Sequence, residues 1–422
     1  MSLFSLAFKS LMNRRFSALL TLIAIALSVC LLLSVERIRS ETKRSFASTI
    51  SGTDLIIGAR SGSINLLLYS VFRIGNATNN IRWSSFQHWQ KHPQVKWAIP
   101  LSLGDSHKGY RVLGTNQDYL RFYQYSNKKH LQLAQGKWFA EDDPLQIVLG
   151  FEVAKALGYQ LNDEVILAHG VAKVSLVQHD DSPFKVVGIL QPTGTPVDRT
   201  LHISLEGMEA VHLGWHNGIP AYSGAKTTKA DLQKMDLTPK SITAMLVGLN
   251  SKTATFGLQR QINQWTTEPL LAILPGVALQ ELWGLMSNIE KVLFIISLFV
   301  VFTGLIGMLG MILASLNERR REMAILRSLG AHPRHVASLL LMEAFILSAL
   351  GILLGVALLY LLIAFLQSPL QALYGLYLPI SFPSGYELTL LACVLGTAVI
   401  ISLIPAMGAY RHSLADGLSI KL

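Results

Sequence analysis

Two histidine pairs have a spacing that could do metal chemistry in this 422-residue chain. His88 and His92 lie four positions apart, as do His212 and His216. On a helix this spacing places both imidazoles on one face, which is the arrangement that a zinc site needs. The competing interpretation is solvated surface histidine, because no third ligand is evident and both cysteines of the chain lie in apolar runs. We keep the two pairs as candidate zinc ligands, without a predicted metal site.

Motifs for catalysis and nucleotide binding are missing from the sequence. The phosphate-binding pattern G-x-x-x-x-G-K-[ST] does not occur, since Gly136-Lys137 lacks the upstream glycine and the following hydroxyl residue. The patterns G-x-S-x-G, H-E-x-x-H and C-x-x-C are also absent. We therefore expect a chain that is not an enzyme, binds no cofactor itself and relies on another protein for any ATP hydrolysis.

A basic segment lies between two apolar runs at residues 317–334. It carries five arginines: Arg319, Arg320, Arg321, Arg327 and Arg334. Short loops rich in Lys and Arg are retained on the cytoplasmic side of a membrane. Met323, Leu326 and Gly330 recur at helical spacing, and Gly330 precedes Pro333, so the segment is predicted to be a short amphipathic helix. A positively charged membrane anchor would explain this periodicity equally well.

Two passages in the last third of the chain have a distinctive residue order. The first is E-R-R-R-E-M-A-I-L-R-S-L-G-A, from Glu318, followed by an apolar helix with Glu343 near its start. The second is I-P-A-M-G-A-Y-R, from Ile404. This second passage is followed by S-L-A-D-G-L, from Ser413. Both resemble the FtsX/MacB-like ABC transporter permeases, although the second departs from the family pattern at Gly408, His412 and Ser413. In that family a helix in the position of residues 317–335 is the coupling helix, which docks into a cleft of a separate ATPase.

The resemblance implies partners and contact residues. Apolar side chains of the coupling helix would enter the ATPase cleft, charged ones would form its rim, and a glycine would end the helix. The implied contacts are Glu318, Arg321, Glu322, Met323, Ile325, Leu326, Arg327, Leu329 and Gly330. The partner ATPase would bind ATP and Mg²⁺. Further expected partners are a second permease copy, identical or different, membrane lipid, and a periplasmic or lipoprotein component.

Composition predicts a membrane protein. Hydrophobic residues make up 51% of the chain and charged ones only 15%, which is too apolar for an ordinary soluble protein. The net charge of +10 is better explained by anionic lipid headgroups beside cytoplasmic loops than by nucleic acid. Apolar runs at 16–35, 291–316, 336–367 and 388–410 are each long enough to cross a bilayer core of about 30 Å. We predict four transmembrane helices.

The distribution of basic residues predicts the orientation. The loop at 368–387 contains no Lys or Arg, whereas the segment at 317–335 is basic, so the latter is placed in the cytoplasm. Residues 1–15 and 411–422 then form cytoplasmic termini of an inner-membrane protein. The run at 16–35 also has the order of a signal peptide, but its length and the lack of a clear cleavage site favour an uncleaved helix.

The polar region at 36–290 is predicted to be an α+β extracytoplasmic domain with helical stalks, inserted between spans one and two. Strands are predicted at 146–150 and 184–190, and a helix at 152–157 that stops at Gly158. The passages that begin at Gly158 and Phe184 resemble MacB-like extracytoplasmic domains, which implies a mostly β outer subdomain at about 116–240. The predicted fold class is thus an α-helical transmembrane bundle of four spans plus this domain.

An apolar stretch punctuated by Gly and Ser follows the first span, at residues 54–72. Its candidate substrate-facing residues are Leu66, Leu67, Leu68 and Phe72. One interpretation is a core strand followed by an amphipathic helix. The other is an apolar surface that faces lipid or a hydrophobic substrate, since exposed apolar patches mark interaction sites.

Three functions are compatible with these features. The resemblance favours a permease that couples ATP hydrolysis by its partner to extrusion of an amphipathic substrate, such as a lipid, lipoprotein or drug-like molecule. The second is transmembrane signalling to a cell-wall hydrolase or sensor, without transport. The third, suggested by the histidines, is a zinc-linked ABC system.

Overall fold

The fold is described from a computed structural model of the chain. It describes residues 14–126, 128–140, 142–169, 183–212, 235–318, 332–374 and 378–411, together with 7, 9, 11, 12, 215, 216, 219 and 220. Two compact units divide the chain. The helical unit consists of Met1–Glu41, Ser287–Ser368 and Leu378–Leu422, and the sheet unit of Thr42–Met286 and Pro369–Tyr377.

The first long helix, α1, runs from Arg15 to Thr49 over 35 residues. Its first part is the apolar run that we predicted to span the membrane. The helix then continues through residues 36–49, which contain charged residues but neither Gly nor Pro, so nothing in the sequence breaks it. It ends shortly before Gly52, whose φ of 74° is a left-handed conformation that favours glycine.

The sheet unit is built on one eleven-stranded sheet, in the order β17-β1-β16-β3-β4-β12-β8-β11-β7, with β10 paired to β3 and β9 to β11. Its strands are β1 (Leu55–Ala59), β3 (Val95–His107), β4 (Tyr110–Thr115), β7 (Leu133–Gly136), β8 (Gln146–Leu149), β9 (Glu164–Val165), β10 (Ala168–His169), β11 (Phe184–Leu190), β12 (Thr200–Ser204), β16 (Ala244–Leu249) and β17 (Leu270–Ile273). Two-residue strands form three small pairs: β2 (Ile81–Arg82) with β15 (Ser241–Ile242), β5 (Gln124–Tyr125) with β6 (Lys129–His130), and β13 (Trp215–His216) with β14 (Ile219–Pro220).

Strand β3 joins the two halves of this sheet. Its first part pairs with β16 and its second part with β4, and the register shifts between Leu103 and Ser106. One long strand therefore belongs to both halves of the sheet, and the outer subdomain at about 116–240 stays a prediction. Strands β1, β12 and β16 are buried along their whole length, which indicates that both faces of the sheet are covered there.

Among its described residues, the sheet unit contains six short helices: α2 (Ser63–Val71), α3 (Trp83–Gln90), α4 (Gln117–Phe122), α5 (Phe151–Leu157), α6 (Leu205–His212) and α7 (Thr255–Asn263). The predicted strands at 146–150 and 184–190 are confirmed as β8 and β11. The predicted helix at 152–157 is confirmed as α5, which ends at Gly158 with a φ of 72°.

After β17, the described residues form three further long helices: α8 (Pro275–Glu318, 44 residues), α9 (Pro333–Tyr374, 42 residues) and α10 (Gly385–Arg411, 27 residues). Within the described residues, four helices are long and apolar enough to cross a membrane, namely α1, α8, α9 and α10, in agreement with the predicted bundle. Helices α1, α8 and α9 extend well beyond the predicted spans, since a helix need not end where its apolar run ends.

Candidate functional site

Helix α1 packs closely against α9 at two glycines. A Cβ atom added to Gly351 would lie 2.7 Å from Cγ2 of Ile25. At Gly355 it would lie 2.8 Å from the carbonyl oxygen of Ala26. These distances are shorter than a van der Waals contact, so neither position leaves room for a side chain. Small residues allow helix backbones to approach in this way inside membranes.

A third glycine brings α8 against the same helix. A Cβ atom added to Gly304 would lie 2.8 Å from Oγ of Ser28. That hydroxyl is directed to the carbonyl oxygens of Ala24, within α1, at 2.7 Å, and of Val300, in α8, at 3.2 Å. Helix α1 is therefore held between α8 and α9 by close packing and by a polar contact.

Arg37 and Glu387 form a buried ion pair between α1 and the start of α10. Each side chain is only 4% exposed. Nε and Nη2 of Arg37 donate to the two carboxylate oxygens of Glu387 at 2.9 and 3.0 Å, which is the two-pronged geometry that makes such pairs strong. Nη1 donates to the carbonyl oxygens of Pro379 at 3.2 Å and Ser381 at 3.3 Å. One guanidinium thus fixes α1 to the segment that leads into α10.

Glu387 also starts helix α10. Its carboxylate accepts the backbone N–H of Ser384 at 2.6 Å, and its own N–H donates to Oγ of Ser384 at 3.2 Å, which is a capping box. The hydroxyl of Tyr360 in α9 donates to the carbonyl oxygen of Ser381 at 2.9 Å, and the guanidinium of Arg37 lies 5.9 Å from the Tyr360 ring centre. We call Arg37, Tyr360, Ser381 and Glu387 the arginine clamp. It links α1, α9 and α10.

Arg39 makes a weaker set of contacts beside the clamp. It pairs with Glu36 in the same helix at 2.8 Å and lies 3.9 Å from Glu290 in α8. Its side chain is 37% exposed, so water screens these interactions far more than those of Arg37.

The end of α1 is bonded to the sheet unit through its last carbonyl groups. The hydroxyl of Tyr123 donates to the carbonyl oxygen of Thr49 at 2.6 Å, and the backbone N–H of Ser126 donates to that of Ser48 at 2.6 Å. The N–H of Ser51 donates to the carbonyl oxygen of Gln124 at 3.1 Å. The last carbonyls of a helix lack partners within it, and here the segment at 123–126 supplies them.

An aromatic contact joins α1 and α8 within the sheet unit. The ring of Phe46 in α1 stacks on Phe72 at a centroid distance of 4.3 Å and meets Trp283 of α8 edge-on at 5.5 Å. Phe72 belongs to one core cluster of the sheet unit, and Phe46 and Trp283 pack against the same cluster. The end of α1 and the start of α8 are thus anchored at the same place in this unit.

One buried histidine lies close to this anchor. His202 is fully buried, with the rings of Tyr119 and Trp138 at centroid distances of 5.4 and 5.8 Å. Burial, helped by the positive charge of Arg73, lowers the pKa of His202 to about 3. The imidazole is therefore neutral at physiological pH, and among the described residues neither ring nitrogen has a hydrogen-bond partner within the usual distance.

Comparison with protein families accounts for this architecture. Residues 18–264, more than half of the chain, match the family of MacB-like periplasmic core domains. Residues 294–414 match the FtsX-like permease C-terminal family. The chain belongs to the FtsX/MacB-like ABC transporter permease family.

Curated relatives of this FtsX/MacB-like permease are exporters by name. It is 21% identical to the macrolide export ATP-binding/permease protein MacB of Wolinella succinogenes, over 96% of this chain and 59% of that protein. It is 23% identical to the pyoverdine export ATP-binding/permease protein PvdT of Pseudomonas fluorescens, over 76% of this chain and 45% of that protein. The permease therefore spans only about half the length of the relatives it matches.

Two solved structures align with just over half of the permease, both at low sequence identity. The periplasmic region of MacB from Actinobacillus actinomycetemcomitans aligns with 56% of this chain and 94% of its own, at 13% identity and a TM-score of 0.33. The extracellular domain of the ABC-type transporter YknZ aligns with 52% of this chain and 99% of its own, at 13% identity and a TM-score of 0.32.

Most of the predicted coupling residues of the permease fall outside the described part of the chain. Glu318 is the last residue of α8. The other eight lie outside the described residues: Arg321, Glu322, Met323, Ile325, Leu326, Arg327, Leu329 and Gly330. Their role stays a prediction.

The histidine pairs are not gathered into a metal centre in the part of the chain that is described, where no group of three potential ligands occurs. The His88 ring stacks on Trp265 at 5.2 Å, and Nδ1 of His92 accepts the N–H of Gln94 at 3.3 Å. His212 ends α6 and His216 lies in β13, but their side chains are outside the described part. Zinc binding by these two pairs stays a hypothesis.

The candidate substrate-facing residues lie in the core of the sheet unit. Leu66 and Leu67 are 0% exposed and Phe72 is 5% exposed, while Leu68 is partly buried against the same cluster. The side chains are buried because α2 lays its apolar face on the sheet. This burial agrees with the first of our two interpretations, a core strand followed by an amphipathic helix, and a substrate-facing role of these residues stays a prediction.

Sequence reasoning missed the arginine clamp. We assigned Arg37 to a polar stalk and Glu387 to the end of a loop. A usable signal was present, because Arg37 lies two residues after the first apolar run and Glu387 directly precedes the last one. Ionisable residues at such positions pair with one another when they are buried. What the sequence lacked was any indication that the two ends are neighbours.

Proposed function

We propose that the chain is the permease subunit of an ABC exporter. A separate ATPase would move the MacB-like domain through α1 and α8, and the domain would extrude an amphipathic substrate such as a lipid, lipoprotein or drug-like molecule. ATP and Mg²⁺ would be bound by the ATPase alone.

The length of α1 and α8 is the observation that carries this proposal. Their 35 and 44 residues correspond to about 53 and 66 Å of helix, compared with a bilayer core of about 30 Å. Each helix therefore has enough length to cross a membrane and continue beyond it without a break. A continuous helix transmits a displacement from one end to the other, whereas a flexible linker would absorb it.

The contacts at both ends of α1 support the same proposal. In the helical unit, the glycine contacts and the arginine clamp hold α1 to its neighbours. In the sheet unit, the carbonyls of Ser48 and Thr49 are hydrogen-bonded and Phe46 packs against Trp283. A force applied to α1 would reach the sheet unit through these bonds.

The partners follow from the family resemblance. We propose that residues 317–335 dock onto the ATPase on the cytoplasmic side of the inner membrane, that both termini are also cytoplasmic, and that a second permease copy completes the complex. Relatives named as exporters favour extrusion over signalling for this chain.

A break in α1 tests whether this helix transmits the movement. Ser40 is exposed and lies in the middle of the helix. Ser40→Pro removes one backbone hydrogen bond and kinks the helix, whereas Ser40→Ala preserves it and serves as the matched control. In the complex with its ATPase, trapped with ATP and vanadate, wild type and Ser40→Ala should change amide hydrogen exchange across residues 42–286. Ser40→Pro should lose that change while still binding the ATPase.

Transmission through α1 is refuted if Ser40→Pro shows the same ATP-dependent change in hydrogen exchange as wild type. Loss of ATPase binding would instead indicate global misfolding, so the amount of co-purified ATPase is measured on the same samples.

A second experiment tests the coupling helix. Leu326→Glu places a charge where an apolar side chain would enter the ATPase cleft, and burial of a leucine contributes about 1.5–3 kcal/mol, which corresponds to tenfold or more in association. Co-purification of the ATPase should therefore be lost. Arg320→Glu, on the predicted lipid-headgroup side, should have little effect. The reverse pattern would mean that the segment is only a positively charged membrane anchor.

A further inference from the structure

A basic cleft opens in the sheet unit beside the end of α1. It has a volume of about 750 Å³, within the usual range of small-molecule sites. Four cationic side chains line it: Lys96, Arg121, Lys128 and Lys252. All four are exposed, and among the described residues no carboxylate forms an ion pair with any of them.

The charge of the cleft is strongly unbalanced. Its single acidic residue among those that line it is Asp54, and the carboxylate of Asp54 already accepts the backbone N–H of Leu249 at 2.8 Å. Four positive charges therefore face the cleft with little neutralisation from the protein itself. Like charges gathered in a concave surface raise the local concentration of an oppositely charged ligand.

One wall of the cleft is aromatic. The rings of Trp97 and Phe122 lie parallel, with an interplanar angle of 4° and centroids 5.9 Å apart. Trp97 also covers Gly248, where an added Cβ would lie 2.2 Å from the indole ring. Glycine at this position therefore lets the indole lie flat against the strand. The two rings form one aromatic patch directly beside the cations, and the guanidinium of Arg121 lies 5.0 Å from the centre of the Phe122 ring.

We propose that this cleft binds an organic anion, whose carboxylate or phosphate group is held by the lysines and Arg121 and whose flat apolar part packs on Trp97 and Phe122. The proposal does not depend on export or on the ATPase. The anionic group could belong to a soluble molecule or to a lipid headgroup, since both present the same chemistry.

The position of the cleft gives the site a structural consequence. Gly52 and Gln124 line it, and Gln124 accepts the N–H of Ser51 just after α1. The same segment bonds the last carbonyls of α1 through Tyr123 and Ser126. A ligand in the cleft therefore touches the segment that anchors this helix.

Isothermal titration calorimetry tests the site. The whole chain is held in nanodiscs of phosphatidylcholine and titrated with phenyl phosphate as the probe. Lys96→Glu and Lys128→Glu should each weaken binding about tenfold at low salt, because an attraction at an exposed site is replaced by a repulsion. Lys155→Glu is the matched control, since Lys155 is an exposed lysine that also lies near an aromatic ring, at 5.9 Å from Phe151, outside the cleft. It should bind as wild type does. Melting temperatures of all variants verify folding, and Lys252→Gln provides a milder neutralisation if either reversal unfolds the chain.

Two comparisons sharpen the test. Inorganic phosphate should bind more weakly than phenyl phosphate, and equal affinity would overturn the aromatic part of the proposal. Nanodiscs that contain phosphatidylglycerol should compete with the probe if a lipid headgroup is the source of the anion, whereas unchanged affinity identifies a soluble anion. Equal affinity of wild type, Lys96→Glu and Lys128→Glu, or no binding of phenyl phosphate to the folded wild type, would overturn the site.

Discussion

Removal of one partner of the buried Arg37–Glu387 pair should destabilise the helical unit strongly. In Arg37→Met the carboxylate of Glu387 stays buried without its counter-charge, and in Glu387→Gln the guanidinium does. Breaking a buried pair in this way costs about 3–5 kcal/mol. Arg39→Met is the matched control, because 37% of the Arg39 side chain is exposed and an exposed pair contributes at most about 1 kcal/mol.

The double variant Arg37→Met/Glu387→Leu distinguishes charge pairing from general packing. Apolar replacement of both partners of a buried pair is often nearly neutral, since no buried charge remains. Losses persist at Ser384 and Pro379, whereas the carbonyl of Ser381 loses Arg37 but keeps the Tyr360 hydroxyl as a donor. Ser384 loses the carboxylate of its capping box, which costs about 1 kcal/mol, and the carbonyl of Pro379 loses a donor. The double variant should therefore lose roughly 1–3 kcal/mol of stability in total, which is less than either single variant loses.

The free energy of unfolding of the full chain can be measured in mixed micelles by titration with SDS and followed by circular dichroism. Wild type, the two single variants, the double variant and Arg39→Met form one series. If Arg37→Met loses no more than Arg39→Met, or if the double variant loses the sum of the singles, the pair does not act as a buried, coupled charge pair and the reasoning fails.

Three further outcomes are expected. Gly355→Val should destabilise the chain by about 1–3 kcal/mol in the same assay, because even a Cβ would lie 2.8 Å from the Ala26 carbonyl oxygen, whereas Gly307→Val, with nothing within 4 Å, should change it little. Because the pKa of His202 is lowered to about 3 in the folded state, only the unfolded chain takes up this proton between about pH 6.5 and pH 3. The free energy of unfolding therefore decreases as the pH falls through this window. Between pH 7.5 and pH 5, wild type should lose about 2 kcal/mol more than His202→Phe, and an equal loss would exclude a neutral buried imidazole as the cause. Residues 45–285 expressed alone should melt cooperatively, because the sheet and its core clusters lie within this range, and an insoluble or molten product would show that the long helices are needed.

The pattern of the sequence was sufficient for the elements that depend on local composition. Apolar runs of about 20 residues or more predicted the four long helices, because the bilayer sets that length. Strands β8 and β11 and helix α5 were predicted from a short apolar run, alternation or a terminal glycine. The order of residues 318–331 and 404–411 was enough to indicate the permease family, because it does not depend on how the elements pack.

Other features depended on which distant segments become neighbours. Leu66 and Leu67 form an apolar stretch that suits an exposed surface as well as a core, and only the packing of α2 on the sheet decided between the two. The basic cleft brings together residues from four separate parts of the chain between Gly52 and Lys252. No spacing in the sequence relates them.

The arginine clamp illustrates the same division. The sequence by itself determined that Arg37 follows an apolar helix and that Ser384 and Glu387 have the spacing of a capping box. Tertiary structure alone decided that Arg37 and Glu387 meet, although 350 positions separate them. The physical reason is that an ion pair is a matter of distance and burial in space, and both are set by how α1, α9 and α10 pack together.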